Sequence, residues 1–168
     1  MSDKETSMTP TNAIDLLKKD HRDHVAMFEE FTKLKHPQER VKLINTIVTE
    51  LAVHATAEEK HLYPVMADDP KIIEAIEEHH ALKLIMAEVA DMKGDEPNIE
   101  GKVKVLGEMV EHHIKEEEQD LFPKLERIQA NLIEIGKKIA DEKDRLKAGM
   151  GTVGNQKADQ LGGAPRPA

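Results

Sequence analysis

Apolar residues recur at alternating steps of three and four along most of this chain, which is the inward stripe of amphipathic helices. The first stripe is Ile14, Leu17, His21, His24, Phe28 and Phe31, opened by a capping residue at Thr11 or Asn12. His36-Pro37 starts a second helix whose stripe is Ile44, Ile47, Leu51, His54, Glu58, His61 and Val65, with Pro64 placed to kink or stop it. Asp69-Pro70 starts a third, with Ile72, Ala75, His79, Leu82, Met86 and Val89. After a turn at Gly94-Asp95-Glu96-Pro97, a fourth carries Val103, Leu106, Val110, His113, Glu117 and Asp120 and meets Pro123. A fifth stretch, with Leu125, Ile128, Leu132, Ile135 and Ile139, is expected to end before Gly149.

Short turns between the first four helices make neighbours antiparallel. The expected fold is therefore all-α, an up-down-up-down antiparallel four-helix bundle with an additional C-terminal helix. The domain would span residues 11–147, between a flexible N-terminus (1–10) and a disordered tail (149–168) rich in Gly, Pro and Ala.

Composition narrows the function. Charged residues make up 34% of the chain and aromatics 2%, so the core rests on aliphatic side chains and Met. The net charge of -9 argues against nucleic acid or an anionic membrane as partner. The absence of cysteine excludes thiolate metal sites and Cys nucleophiles. No apolar run reaches the ~20 residues of a membrane helix, and the first residues, Met1 to Ser7, carry no apolar signal segment. A cytoplasmic protein is the expectation.

The stripes are interrupted by polar residues at one height, and the interruptions repeat. His54-Ala-Thr-Ala-Glu58, followed by Leu62-Tyr63-Pro64, returns 59 residues later as His113-Ile-Lys-Glu-Glu117, followed by Leu121-Phe122-Pro123. The first and third helices match in the same way, His21 with His79. Two helix pairs related by a pseudo-twofold axis would face equivalent residues towards each other. A buried carboxylate needs a cation or strong donors, and no Lys or Arg lies beside these residues on the stripes. Four imidazoles and two carboxylates suit two metal ions, because a carboxylate can bridge two ions and His and Glu at i and i+4 share a helix face. Nitrogen and oxygen donors without thiolate favour iron, with manganese or zinc as substitutes.

As a set, His21, His54-x-x-x-Glu58, His79 and His113-x-x-x-Glu117, with Leu62-Tyr63-Pro64 and Leu121-Phe122-Pro123, resemble the hemerythrin-like HHE cation-binding domain over roughly residues 11 to 145. The resemblance implies a four-helix bundle around a non-heme di-iron centre, oxo- or hydroxo-bridged. His21, His54, Glu58, His79, His113 and Glu117 would be its ligands, and an open iron position would take a small molecule. Lys83 stands four residues after His79, where the oxygen-carrying hemerythrins have a second histidine. Glu117 follows His113 by four residues, where those carriers have an Asp at five. The expectation is thus redox, sensing or detoxification chemistry with dioxygen, peroxide or nitric oxide rather than reversible oxygen carriage. A peroxide-consuming, catalase-like activity is the simplest turnover. The alternatives are an iron store or buffer without catalysis, and an interaction module stabilised by metal.

His24 and His61 lie one turn from His21 and Glu58 on the same stripes and are read either as added ligands or as groups that orient ligands. Asp120, the repeat counterpart of His61, is read as an orienting group. Tyr63 stands near the site as a hydrogen-bonding or redox group, or as an aromatic packed at the helix end. His80 and His112 are expected to face outward and His36 to lie in a turn.

Overall fold

A computed structural model describes residues 11–160, with side chains for 11–150. The expected flexible N-terminus, 1–10, and the last eight residues of the expected tail lie outside the described residues. The elements are α1 (Ala13–Phe31), α2 (Pro37–His61), a 3-10 turn (Tyr63–Met66), α3 (Pro70–Ala90), α4 (Ile99–Glu116), a π turn (Glu117–Leu121), α5 (Phe122–Arg127) and α6 (Leu132–Gln160). The first four helices close a ring, α1 on α2, α2 on α3, α3 on α4 and α4 on α1. The fold is an all-helical bundle, with α6 as an extra helix packed along α1 and α2.

Helix boundaries follow the local chemistry. The side chains of Asn12 and Asp69 accept from the backbone N–H groups of Ile14 and Lys71, capping α1 and α3. Pro37 and Pro70 occupy first-turn positions, where a missing N–H costs nothing. Gly94 has φ +95°, and a Cβ there would lie 2.3 Å from the carbonyl oxygen of Pro37, so the turn between α3 and α4 requires glycine.

Two apolar clusters fill the bundle. One gathers Ile14, Leu17, Leu62, Tyr63, Ile72, Leu121, Phe122, Leu125 and Ile139; the other gathers Phe28, Phe31, Ile44, Ile47, Leu82, Met86, Val103, Leu106 and Val110. α1, α2 and α3 each run from one cluster to the other, α4 reaches the first through Leu121 of the π turn, and the polar interruptions lie between the clusters. The aliphatic layers thus enclose a polar layer cut off from solvent.

The chain departs from its periodicity in three places. The π turn places five residues where an α-helix would take about four. Leu121 therefore turns inward to the core, and Asp120 swings out, its side chain 48% exposed near Lys71. Pro123, which the fourth helix was expected to meet, sits in the first turn of α5, and Phe122 N–H bonds to Glu117 O across the π turn. Second, the expected fifth helix is broken: Gln129 adopts φ +53° after α5, and Ile128 is exposed. Third, α6 runs past Gly149 to Gln160 instead of ending before Gly149. Each interior glycine costs a helix only about 1 kcal/mol, and the next proline after Leu132 is Pro165.

α6 docks closely at its start. A Cβ on Gly136 would lie 2.1 Å from Thr11 O, so only glycine lets the two backbones approach this far. Further along, Lys60 donates to Glu142 at 3.0 Å, and Lys147 pairs with Glu50 at 2.8 Å. Among the described residues no helix is long and apolar enough to cross a membrane.

Candidate metal centre

The polar layer brings together His21 from α1, His54 and Glu58 from α2, His79 from α3, His113 from α4 and Glu117 from the π turn, all buried. Two groups of converging donor atoms result: His21, His54, Glu58 and Glu117, and then Glu58, His79 and His113, each with its atoms within 4.8 Å of one another. Glu58 belongs to both. Its Oε1 lies 3.1 Å from His54 Nε2 and its Oε2 lies 3.5 Å from His79 Nε2. Glu117 Oε2 likewise lies 3.3 Å from His21 Nε2 and 3.7 Å from His113 Nε2.

The four imidazoles share one support. Each presents Nε2 to the centre and Nδ1 to a carboxylate: His21 to Glu118 at 2.8 Å, His54 to Asp20 at 3.1 Å, His79 to Glu59 at 3.0 Å and His113 to Glu78 at 2.6 Å. A carboxylate accepting from Nδ1–H fixes the tautomer with the Nε2 lone pair facing inward, which is how ligating histidines are held. The supports obey the repeat, since Asp20 corresponds to Glu78 and Glu59 to Glu118. The sequence reading missed all four. Their signal was adjacency: each stands next to a candidate ligand in the chain and serves the histidine of a neighbouring helix. Two carry a further cation, Asp20 bonding Lys143 of α6 and Glu59 bonding Lys83 at 2.8 Å.

These donors fit a cation. His21 Nε2, both oxygens of Glu58 and Oε2 of Glu117 are buried without a hydrogen-bond partner among the described residues, although buried polar atoms are nearly always paired. His79 Nε2 and His113 Nε2 stand 2.9 Å apart. With both Nδ1–H groups committed outward, neutral rings would turn lone pairs on each other, and a cation resolves that conflict. The electrostatics tell the same story. Burial works against charge on His54, yet the Glu58 carboxylate and the bond to Asp20 push it up to about 10. Burial opposes charge on His113 too, and Glu117 overrides it in the same direction. Burial also opposes ionisation of Asp20 and Glu117, but hydrogen bonds from His54 and Lys143 hold the first, and the charge of His113 the second, below the usual carboxylate range. The carboxylates dominate this layer, and it draws positive charge.

Tyr63 is part of the layer. Its hydroxyl donates to Glu117 Oε1 at 2.7 Å, its oxygen is 3.3 Å from His79 Nε2, and its ring stacks on His79. Burial, then the charges of Glu58 and Glu117, raise the phenol well above its usual range, so it keeps its proton. In the other half Phe122 stacks on His21 and has no hydroxyl to offer Glu58. His24 and His61 enter neither converging group. His24 is buried edge-on against His54, and burial followed by the charge of His54 lowers it to about 3. His61 is half-buried, 3.7 Å from Glu142. Asp120 faces solvent. His80 and His112 are exposed, and His112 meets Glu78 and Glu116 at the surface at 3.6 and 3.5 Å. His36 is the N-cap residue of α2.

A cavity of about 20 Å³ adjoins the layer, lined by His21, His24, His54, His79 and His113 and walled by Leu51, Leu82, Met86 and Val110. That is room for a water-sized guest.

Comparison with known proteins agrees with this architecture. The fold is similar to the crystal structure of a hemerythrin HHE cation binding domain-containing protein from Mycobacterium kansasii, with a TM-score of 0.74, 24% identity, and coverage of 83% of this chain and 89% of that one. The chain is also 26% identical over 114 residues to a DNA nickase of Nostoc sp. (strain PCC 7120 / SAG 25.82 / UTEX 2576), a stretch covering 66% of this chain and 32% of the relative. It thus spans about a third of that protein's length. Residues 12–125, which hold every donor of the buried layer, match the hemerythrin HHE cation binding domain, and the chain belongs to that family.

Proposed function

We propose that the protein holds two iron ions, for which His21, His54, His79 and His113 would be the nitrogen ligands and Glu58 and Glu117 the carboxylate ligands. The observation that carries this reading is the set of four imidazoles, each backed by a carboxylate, facing two buried carboxylates whose inner oxygens lack partners. Six nitrogen and oxygen donors without thiolate suit iron, and Glu58 reaches both donor groups. Bound iron would supply redox equivalents and an open position for dioxygen, peroxide or nitric oxide. The protein's own part is to orient the imidazoles through Asp20, Glu59, Glu78 and Glu118. Leu51, Leu82, Met86 and Val110 limit water and admit only small guests. Tyr63 holds a proton on its hydroxyl against Glu117.

Protein purified from an iron-replete culture should contain two irons per chain by elemental analysis. No metal, in folded protein that also refuses added iron, overturns the reading. Consumption of hydrogen peroxide by the iron-loaded protein and not by its zinc-loaded form would identify a peroxide-consuming activity, and an inert iron form would exclude it. The net charge of -9 speaks for a small-molecule rather than a nucleic-acid partner, so supercoiled plasmid should remain intact in its presence.

A further inference from the structure

His24 differs from the four other buried histidines. It is 3% exposed and lies edge-on to the His54 ring, with the ring centroids 4.9 Å apart. No carboxylate orients it, and it joins neither converging donor group. A ligand of this centre would be expected to carry the Nδ1 support that each of the others has. A buried imidazole that no carboxylate orients is free to hydrogen-bond a guest in the adjoining space. His24 lines the 20 Å³ cavity beside the donors.

The repeat sharpens the point. The residue corresponding to His24, 58 positions on, is Leu82, which lines the same cavity. A hydrogen-bonding side chain thus stands at His24 where its repeat counterpart is apolar, and Lys83, which also lines the cavity, is bonded to Glu59 at 2.8 Å. A guest with a charged or strongly accepting end gains from lying towards His24, and an apolar diatomic gains nothing.

We propose that His24 is a specificity-determining residue that hydrogen-bonds the small molecule held in this cavity and favours anionic or peroxide-class guests over nitric oxide. The proposal rests on the reading that the metal centre takes a small molecule. It is tested on the full-length iron-loaded protein by spectroscopic titration with sodium azide and, separately, with nitric oxide, for the wild type, His24→Leu and His24→Asn. His24→Leu copies the repeat counterpart, and His24→Asn keeps a hydrogen-bonding group. Loss of a hydrogen bond to a charged guest should weaken azide binding about tenfold or more in His24→Leu. Nitric oxide affinity and iron per chain should be unchanged, and His24→Asn should recover part of the azide affinity. Equal weakening of azide and nitric oxide, or no recovery in His24→Asn, overturns the proposal. Loss of iron from both variants would make His24 a metal ligand instead. A wild type that binds neither probe would sink the underlying small-molecule reading, and this proposal with it.

Discussion

Tyr63→Phe removes one oxygen atom and makes the first half of the repeat resemble the second, where Phe122 already stands. The lost interaction is the 2.7 Å hydrogen bond from the phenol to Glu117 Oε1, with both side chains almost wholly buried. A hydrogen bond to a charged acceptor contributes about 1.5–3 kcal/mol, and a buried acceptor left bare costs at least as much. For a chain of this size each kcal/mol shifts the melting temperature by about 2–4 °C, so metal-free Tyr63→Phe should melt roughly 3–12 °C below the wild type. If Glu117 is a metal ligand, a bound cation compensates the carboxylate, and the difference should shrink in the metal-loaded protein. The assay is thermal unfolding of both proteins in both forms. A drop of the same size with and without metal would refute the reasoning about Glu117, and a drop below the error of the measurement would refute the hydrogen bond.

Glu58→Ala or Glu117→Ala should remove most bound metal, whereas His36→Ala, at the exposed start of α2, should leave it intact; elemental analysis of the three variants decides, and equal losses would break the proposed ligand set. His54, raised from 6.5 to about 10 in the folded protein, binds its proton more tightly there than in the unfolded chain. Its contribution to metal-free stability is thus fully present below about 6.5 and lost as pH rises through about 10. Metal binding must displace such protons, so affinity should climb over the same interval, about tenfold per pH unit for each proton displaced. The gap in melting temperature between loaded and metal-free protein should therefore widen from pH 6 to pH 9, and a narrowing gap would contradict histidine ligation. Lys143→Met leaves Asp20 with His54 as its remaining hydrogen-bond partner in a mostly buried position. It should cost about 1–3 kcal/mol in urea denaturation; an unchanged midpoint would mean that the Lys143–Asp20 contact does not stabilise the fold.

The sequence by itself determined the helices of the bundle, their inward faces and the six buried donors, because helical spacing places residues on a common stripe whatever the partner helix does. His54 and Glu58 share a face through backbone geometry, and so do His113 and Glu117. The repeat is what made the set legible, since a lone polar residue on an apolar stripe carries little weight. Spacing assumes a regular helix, and there it failed. The π turn moved Asp120 to solvent and Leu121 to the core, and Gln129 broke a stripe that looked continuous through Ile128.

Other features existed only between helices. Asp20, Glu59, Glu78 and Glu118 each sit one residue off a donor, a position that in an isolated helix points to the flank and reads as a solvated charge. Only the packing of neighbouring helices turns that flank towards another helix's imidazole. The same holds for Lys143, whose role depends on α6 lying along α1 and α2, and for His24, whose stripe position matches that of a ligand. Tertiary structure gave the four other buried histidines a carboxylate each and left His24 facing a cavity, because support for an imidazole comes from the helix beside it rather than from its own.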